Sequence, residues 1–362
     1  MPGVYLSYPF CAQKCTYCNF ASGVLPRDVE TRYPDGLIRE IESTHWEWVP
    51  NTIYLGGGTP SALDPDILDR ILAVVPGRPW KEATIEAAPG SFTCETVQRW
   101  VRAGINRVSL GVQSFIRNEL ARTGRKHSVE TVIADVANLR AAGLSNFNLD
   151  LIAGLPGQTI ASWNESLDWI ERLAPPHVSV YMLEVDGESR LGRELLLGGV
   201  RYGAGDVPDN DAIADFYETA VDRLNRIGIP RYEISNFAQP GFESLHNLKY
   251  WRREPYLGFG ADAHSFDGAH RWQNTESAEE YIARSPHARS GCEPSDAAEE
   301  RFFVGLRLSE GIEISPEELA RHAPAITRFL HGGLMEQTGS RLRLTSAGVM
   351  VSNEIFEHFL NL

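Results

Sequence analysis

Three cysteines, Cys11, Cys15 and Cys18, stand in the run YPFCAQKCTYCNF at C-x-x-x-C-x-x-C spacing, directly after a short apolar segment that reads as a strand. Thiolates so close together on one loop can hold three corners of an iron–sulfur cube, whereas an ordinary electron-transfer cluster takes four cysteine ligands. The next position at which a ligand might stand is Phe20, which supplies none. A cube held by three cysteines keeps one iron open to a small molecule, much as catalytic metal sites keep an open position. Zinc is the competing reading, but it commonly takes four ligands in two separated pairs, and no second CxxC or HxxxH lies nearby. Cys94 and Cys292 stand alone and read as free thiols. An odd number of cysteines argues against a disulfide framework.

A thiolate loop works only on a scaffold that brings other groups to it. Strand-like runs at 5–8, 52–55, 83–87, 107–111, 147–154 and 178–183 alternate with amphipathic patterns at 65–75, 95–103, 129–142, 160–173 and 211–227. Several of these helical patterns close on a glycine, the residue expected just past a helix end. Such an alternation predicts an α/β fold with a parallel sheet, and six units suit a partial (β/α)6 barrel better than an eightfold one. Ligands of such folds gather at the C-terminal ends of the strands. There the sequence places the cysteine loop, GGGTPS, Glu86 with a PG pair, Gln113-Ser114, and Asp150 with GLPGQT. The GGGTP glycines let backbone approach a ligand closely. Glu86, Gln113, Arg125 and Asp150 together can supply the ribose and amino-acid contacts that a nucleoside ligand requires. Tyr17 either packs under the loop or stacks on an aromatic ligand such as adenine.

Three regions are expected: a core over 1–235, a loop-rich extension over 236–294 that partly covers the site, and a small C-terminal domain over 295–362. In the extension, His246 in HNLKYW lies beside aromatics, the arrangement of a heme pocket as well as of an ordinary buried histidine. His264 in GADAHSF is a second candidate. The C-terminal region predicts helices at 297–308, 316–322, 324–331 and 346–360 around a hairpin, resembling a winged helix. With six Arg and no Lys against ten acidic residues, it lacks the positive charge of a DNA-reading wing. The whole chain carries a net charge of −14, from 48 acidic and 34 basic residues. That balance disfavours nucleic acid or an anionic membrane surface as the main partner. With no signal segment and no apolar run of spanning length, a cytoplasmic protein without an integral membrane segment is expected.

Taken together, CAQKCTYC, GGGTPS, IEAAPG, NRVSLGVQSF, DLIAGLPGQT, YEISNFA and HNLKYW resemble the radical S-adenosylmethionine superfamily, and within it the oxygen-independent coproporphyrinogen III oxidase family. The resemblance implies a 4Fe–4S cluster on Cys11, Cys15 and Cys18, with S-adenosylmethionine on the open iron. By motif position that cofactor would touch Tyr5, Tyr17, Gly57, Gly58, Thr59, Glu86, Gln113, Arg125 and Asp150. Two family activities differ in class: radical-driven decarboxylation of porphyrinogen propionates, and heme carriage by the HemW-type heme chaperones. The oxidases carry a further cysteine where this chain has Phe20, and a longer segment before the cluster loop than the ten residues here. HNLKYW matches the HNxxYW sequence associated with heme binding in the chaperone group, making His246 the leading heme contact. The resemblance therefore implies heme as ligand, and as partner a heme-acceptor protein such as a respiratory enzyme. The chain departs from the family at Ser7, usually His; at Asp262, usually Gly; and at Ala88, where EANP has Asn.

Overall fold

The computed structural model describes residues 2–360, apart from the side chains of residues 297–299. Six strands, β1 (Gly3–Tyr8), β2 (Thr52–Gly57), β3 (Glu82–Ala87), β4 (Arg107–Gln113), β5 (Phe147–Ala153) and β6 (His177–Met182), alternate with helices. They lie side by side in chain order and all parallel, the α/β sheet expected from the strand–helix alternation. One set of alternate positions is apolar and buried: Val4 and Leu6, Ile53 and Leu55, Val108 and Leu110, Leu149 and Leu151, Val178 and Val180. The other set is polar: Thr52 and Tyr54, Thr84 and Glu86, Arg107 and Ser109, Asn148 and Asp150, His177 and Ser179. Parallel strands covered by apolar layers on both faces read as continuous apolar runs. The alternation seen here means that only one face is packed on helices, while the other lines a polar interior.

The helices on the packed face begin where side chains satisfy their free amides. Thr93, Ser128 and Thr159 each accept from the backbone amide three residues on. One long helix, Arg27–Ser43, has no counterpart in the sequence reading. Pro34-Asp35-Gly36 in its middle carries the signature of a turn, and that masks the spacing of Val29, Tyr33, Leu37 and Ile41, four buried residues on one helical face.

The stretch read as loop-rich carries regular structure. β7 (Asn236–Ala238) runs antiparallel on β6, and β8 (Tyr256–Phe259) joins the other side of β1 in parallel. β9 (His264–Phe266), β10 (His270–Asn274) and β11 (Arg289–Pro294) continue from β8 as antiparallel strands, giving an eleven-stranded sheet. These strands are short and broken by glycines, so the period-two signal never runs long enough to read. Asp262, where the family usually has glycine, sits at φ +58°, a left-handed conformation that explains the family's preference. At the C-terminal end, β12 (Ile312–Glu313), β13 (Met335–Thr338) and β14 (Arg341–Leu344) form a second sheet in the order β12-β14-β13. Helices Ala297–Gly305, Pro316–Arg321 and Ala323–His331 precede the hairpin, and two short helices, Ser346–Met350 and Ser352–Glu357, replace the single helix expected after it.

Glu40 ties the long helix to the β8–β11 side. Its buried carboxylate accepts from Gly260 N at 3.0 Å, Asn274 Nδ2 at 2.8 Å and the Tyr281 hydroxyl at 2.6 Å. Glu40→Ala strands three buried donors at once, and each such donor costs about 1–3 kcal/mol. The variant should therefore unfold several degrees lower in a thermal melt, whereas Glu40→Gln, which keeps an acceptor, should lose much less.

Candidate cofactor site at the mouth of the sheet

The cysteine loop leaves β1 and is fastened at both ends. Cys11 N donates to Gly23 O and Gly23 N to Pro9 O, each at 2.9 Å. Farther along, Thr16 N reaches Thr123 O at 3.1 Å, Leu191 N reaches Thr16 O at 2.8 Å, and Asn19 Nδ2 reaches Asp186 at 2.6 Å. All three thiols are free and half-buried. Burial pushes the Cys11 thiol up, partly offset by hydrogen bonds with Ser22 and Thr59. Among the described residues no three His, Cys, Asp or Glu side chains converge on one point as a single metal ion needs. Three thiols on one anchored loop are the donor set that a cube takes, each thiolate binding a different iron.

GGGTP runs along this loop. The amide of Gly58 donates to Tyr8 O at 2.8 Å and that of Thr59 to Phe10 O at 2.9 Å, while the Gly57 amide donates to Glu86 Oε2 at 3.1 Å. The glycine amides are thus committed within the fold, and what glycine supplies is room. Gly57 has φ +108°, and a Cβ on Gly58 would stand 2.5 Å from Phe10 O. Glu86 also accepts from the Tyr54 hydroxyl at 2.9 Å, and Tyr54 stacks on Tyr5. Burial, reinforced by the charge of Asp150, lifts the Glu86 carboxyl to about 7. Asp150 is held by Asn148 Nδ2 at 2.6 Å and by Ser109, and burial raises its pKa too. Across the mouth, Arg125 donates to the Tyr17 hydroxyl at 3.2 Å and to Gly111 O at 3.3 Å. Gln113 closes β4 at φ +69°.

Tyr5, Gly57, Gly58, Thr59, Glu86, Gln113 and Asp150, on or just after the strands, and Tyr17 and Arg125, from the adjoining loops, lie on the side of the sheet that carries the cysteine loop. Their donor set fits a nucleoside bearing an amino-acid group: carboxylates for an ammonium and hydroxyls, an arginine, and tyrosine faces. The sequence reading missed Tyr54, Ser109, Asn148 and Ser179, which orient the carboxylates. Their signal was present, as polar residues at every second position of strands otherwise buried.

His246 is placed differently from its expected role. It lies fully buried in the helix Leu245–Trp251. Its Nδ1 is 2.9 Å from Thr52 Oγ1, its Nε2 is 2.9 Å from the Tyr250 hydroxyl, and its ring stacks on Tyr54. With both nitrogens engaged and no exposure, this imidazole does not fit a ligand to heme iron. It is the hydrogen-bonded core histidine that spacing could not distinguish from a ligand. His264 is exposed, on β9. Burial drives the pKa of His246 down to about 3, with the charges of Lys249 and Arg107 adding to the effect. The unfolded chain takes up that proton near 6.5, so His246 leaves stability intact above pH 6.5 and subtracts up to about 1.4 kcal/mol per pH unit on the way down towards 3. In denaturant titrations between pH 7 and 4, His246→Gln should lose stability less steeply than the parent chain.

Two family models match the chain, the radical SAM superfamily over residues 5–170 and the HemN C-terminal domain over residues 293–351. A protein named heme chaperone HemW from Lactococcus lactis is 33% identical, with the match covering 98% of this chain and 96% of that one. Its namesake from Bacillus subtilis is 32% identical, over 99% of each chain. In fold, the chain is similar to the solved coproporphyrinogen III oxidase HemN of Escherichia coli, a radical SAM enzyme. The TM-score is 0.86 at 21% identity, covering 99% of this chain and 89% of that one. A single architecture thus accounts for the anchored cysteine loop, the polar strand ends and the C-terminal helices and hairpin. The chain belongs to the radical SAM superfamily and, within it, to the HemW family.

Proposed function

We propose that this protein is a heme chaperone, which binds heme in the cytoplasm and passes it to an acceptor protein such as a respiratory enzyme. It would carry a 4Fe–4S cluster on Cys11, Cys15 and Cys18 and S-adenosylmethionine at the neighbouring strand ends. The observation that carries this reading is full-length similarity to proteins named heme chaperones, joined to Phe20 where the oxidases have a further cysteine. The reduced cluster supplies one electron to S-adenosylmethionine in this superfamily. The chain's own residues would do the holding. Tyr5, Tyr17, Thr59, Gln113 and Arg125 would contact the cofactor, Gly57 and Gly58 let the second strand approach the cluster loop, and Glu86 and Asp150 would accept from its ammonium and ribose.

The competing activity is oxidation of a porphyrinogen. Anaerobic incubation of the reconstituted protein with dithionite, S-adenosylmethionine and coproporphyrinogen III separates the two. The expected outcome is stable heme binding with no substrate-dependent 5′-deoxyadenosine and no vinyl product. Formation of both products would establish the oxidase instead. In the same preparation Cys15→Ser should fail to hold the parent's iron and sulfide; full retention would remove the cluster assignment.

Glu86 makes the cofactor site sensitive to pH. A carboxyl that ionises near 7 is protonated below that value and cannot pair with an ammonium. Affinity for S-adenosylmethionine should therefore rise from pH 6 to pH 8, by up to about tenfold when only the ionised form binds. Calorimetry on Glu86→Gln should show weak binding without that rise.

A further inference from the structure

Along the polar face of the six parallel strands stand three carboxylates, Glu82, Glu86 and Asp150, and a single Lys or Arg, Arg107. Glu82 is taken up by the amides of Leu245 and His246, which leaves the two carboxylates of the mouth. Arg107 is 2% exposed, and its strand neighbours place it just below them. Ser109, the next residue on the same face of β4, lies opposite Glu86 on β3 and opposite Asn148 on β5, and its hydroxyl is 3.3 Å from the Asp150 carboxylate. Arg107 is therefore one step along β4 from the level at which both acids are held, and diagonal neighbours at that spacing are within reach of a long side chain. Yet the guanidinium is committed to neither. Among the described residues no carboxylate forms an ion pair with it, and its Nε has no hydrogen-bond partner. Thr84 Oγ1, opposite it on β3, is likewise without a partner. A buried charge with no adjacent counter-ion is costly to keep. In an enclosed interior, however, its field is weakly screened and reaches groups it does not touch.

We propose that Arg107 is a positioning residue of the cofactor site, the buried positive charge against which Asp150 is held as a carboxylate ready to accept from S-adenosylmethionine. The proposal rests on the S-adenosylmethionine reading of the mouth and adds to it a residue that acts through Asp150. Burial raises the Asp150 pKa, and hydrogen bonds from Ser179 and Asn148 and the charge of Arg107 act against that rise. With the arginine neutralised, Asp150 takes up its proton at higher pH, and below that point it presents a hydroxyl where the cofactor needs an acceptor. The titratable groups facing Asp150 are Tyr54, Glu86, Arg125 and Tyr181, and those facing Arg107 are Tyr54, His177, Tyr232 and His246. Burial keeps the tyrosines protonated and both histidines neutral near pH 7, and Arg125 stays charged. Glu86 and Asp150 are therefore the groups at the mouth whose charge changes near neutrality.

The test is calorimetric titration of the reconstituted full-length protein with S-adenosylmethionine between about pH 6 and pH 9. Arg107→Gln should move the rise in affinity to higher pH, binding roughly tenfold more weakly than the parent near pH 7 and matching it near pH 9. Arg107→Lys, which keeps the charge, should follow the parent's profile. In an Asp150→Asn background the same Arg107→Gln change should leave affinity within about twofold at every pH, because residues that act as a pair lose their effect together. A loss of equal size at every pH, an equal loss with Asp150→Asn, a parent-like profile for Arg107→Gln, or an Arg107→Lys profile no better than that of Arg107→Gln would each overturn the role of Arg107 while leaving the cofactor site in place. A parent protein that does not bind S-adenosylmethionine would overturn both. Where Arg107→Gln alone unfolds the chain, the Arg107→Gln/Asp150→Asn double variant decides by thermal melt. Recovery to the melting temperature of Asp150→Asn supports the pairing, and a double variant as unstable as Arg107→Gln overturns it.

Discussion

The register between β1 and β2 is the constraint from which the site follows. Ser7 lies opposite Gly56 and Tyr8 opposite Gly57, and the pairing continues past the strands through Gly58 N to Tyr8 O and Thr59 N to Phe10 O. Those last bonds set where the chain stands as it enters the cysteine loop, one residue before Cys11. They can form only because Gly58 has no side chain: a Cβ there would meet the Phe10 backbone on several atoms. The same register aims the Gly57 amide at Glu86. One strand pairing thereby sets the thiols, the glycine turn and the carboxylate in a fixed relation, before any cofactor is present. β8 on the other edge of β1 keeps this strand central, so neither edge can slip.

Below the mouth, the polar interior is held by bonds that would be weak in water and are strong when enclosed. Asn148 donates to Ser109, Asp150 and Ser179, and its carbonyl meets His177, which reaches Tyr232 on the far side. Burial keeps His177 neutral, as it does His246. A neutral imidazole can donate from one nitrogen and accept at the other, which lets each histidine join two partners without introducing a charge. The carboxylates at the mouth carry the opposite arrangement. Glu86 and Asp150 are buried close to each other, so each raises the cost of ionising its neighbour. A cationic group entering between them relieves that cost. The network around Asn148 and His177 is thus bonded within the fold, while the paired carboxylates at the mouth favour a positively charged guest.

Much of this was legible in the residues. The strand–helix alternation survives in the structure because each strand's packed face is apolar without interruption, and the helices read from the sequence carry their own capping side chains, Asp64, Thr93, Ser128, Thr159 and Asp209. The candidate positions on the strands fall on one side because the ends of parallel strands share one side of the sheet, while Tyr17 and Arg125 come from loops. Three things were hidden. Pro34-Asp35-Gly36 disguised a seventeen-residue helix, since a local turn signal outweighed a spacing of apolar residues four apart. The strands after residue 236 were too short to show a period. The surroundings of His246 were not legible because a histidine among aromatics looks the same whether its partners are iron or hydroxyls. What separates the two is the identity of Thr52 and Tyr250 in space, and Thr52 is almost two hundred residues away in the chain.

The helix Leu245–Trp251 shows why that distinction matters. Its first amides are taken by Glu82, with Leu245 N at 2.8 Å and His246 N at 2.9 Å. Its histidine is taken by Thr52 and Tyr250, and Tyr250 in turn packs edge-on against Tyr256 at 4.7 Å. Each of these partners belongs to the sheet or to the helix itself, so the first two turns are fully accounted for by folding. Trp251 reaches past them, with the Arg307 guanidinium 4.6 Å from its ring centre. Because His246 also stacks on Tyr54, which bonds Glu86, a chain of contacts runs from this helix to the carboxylate at the strand ends.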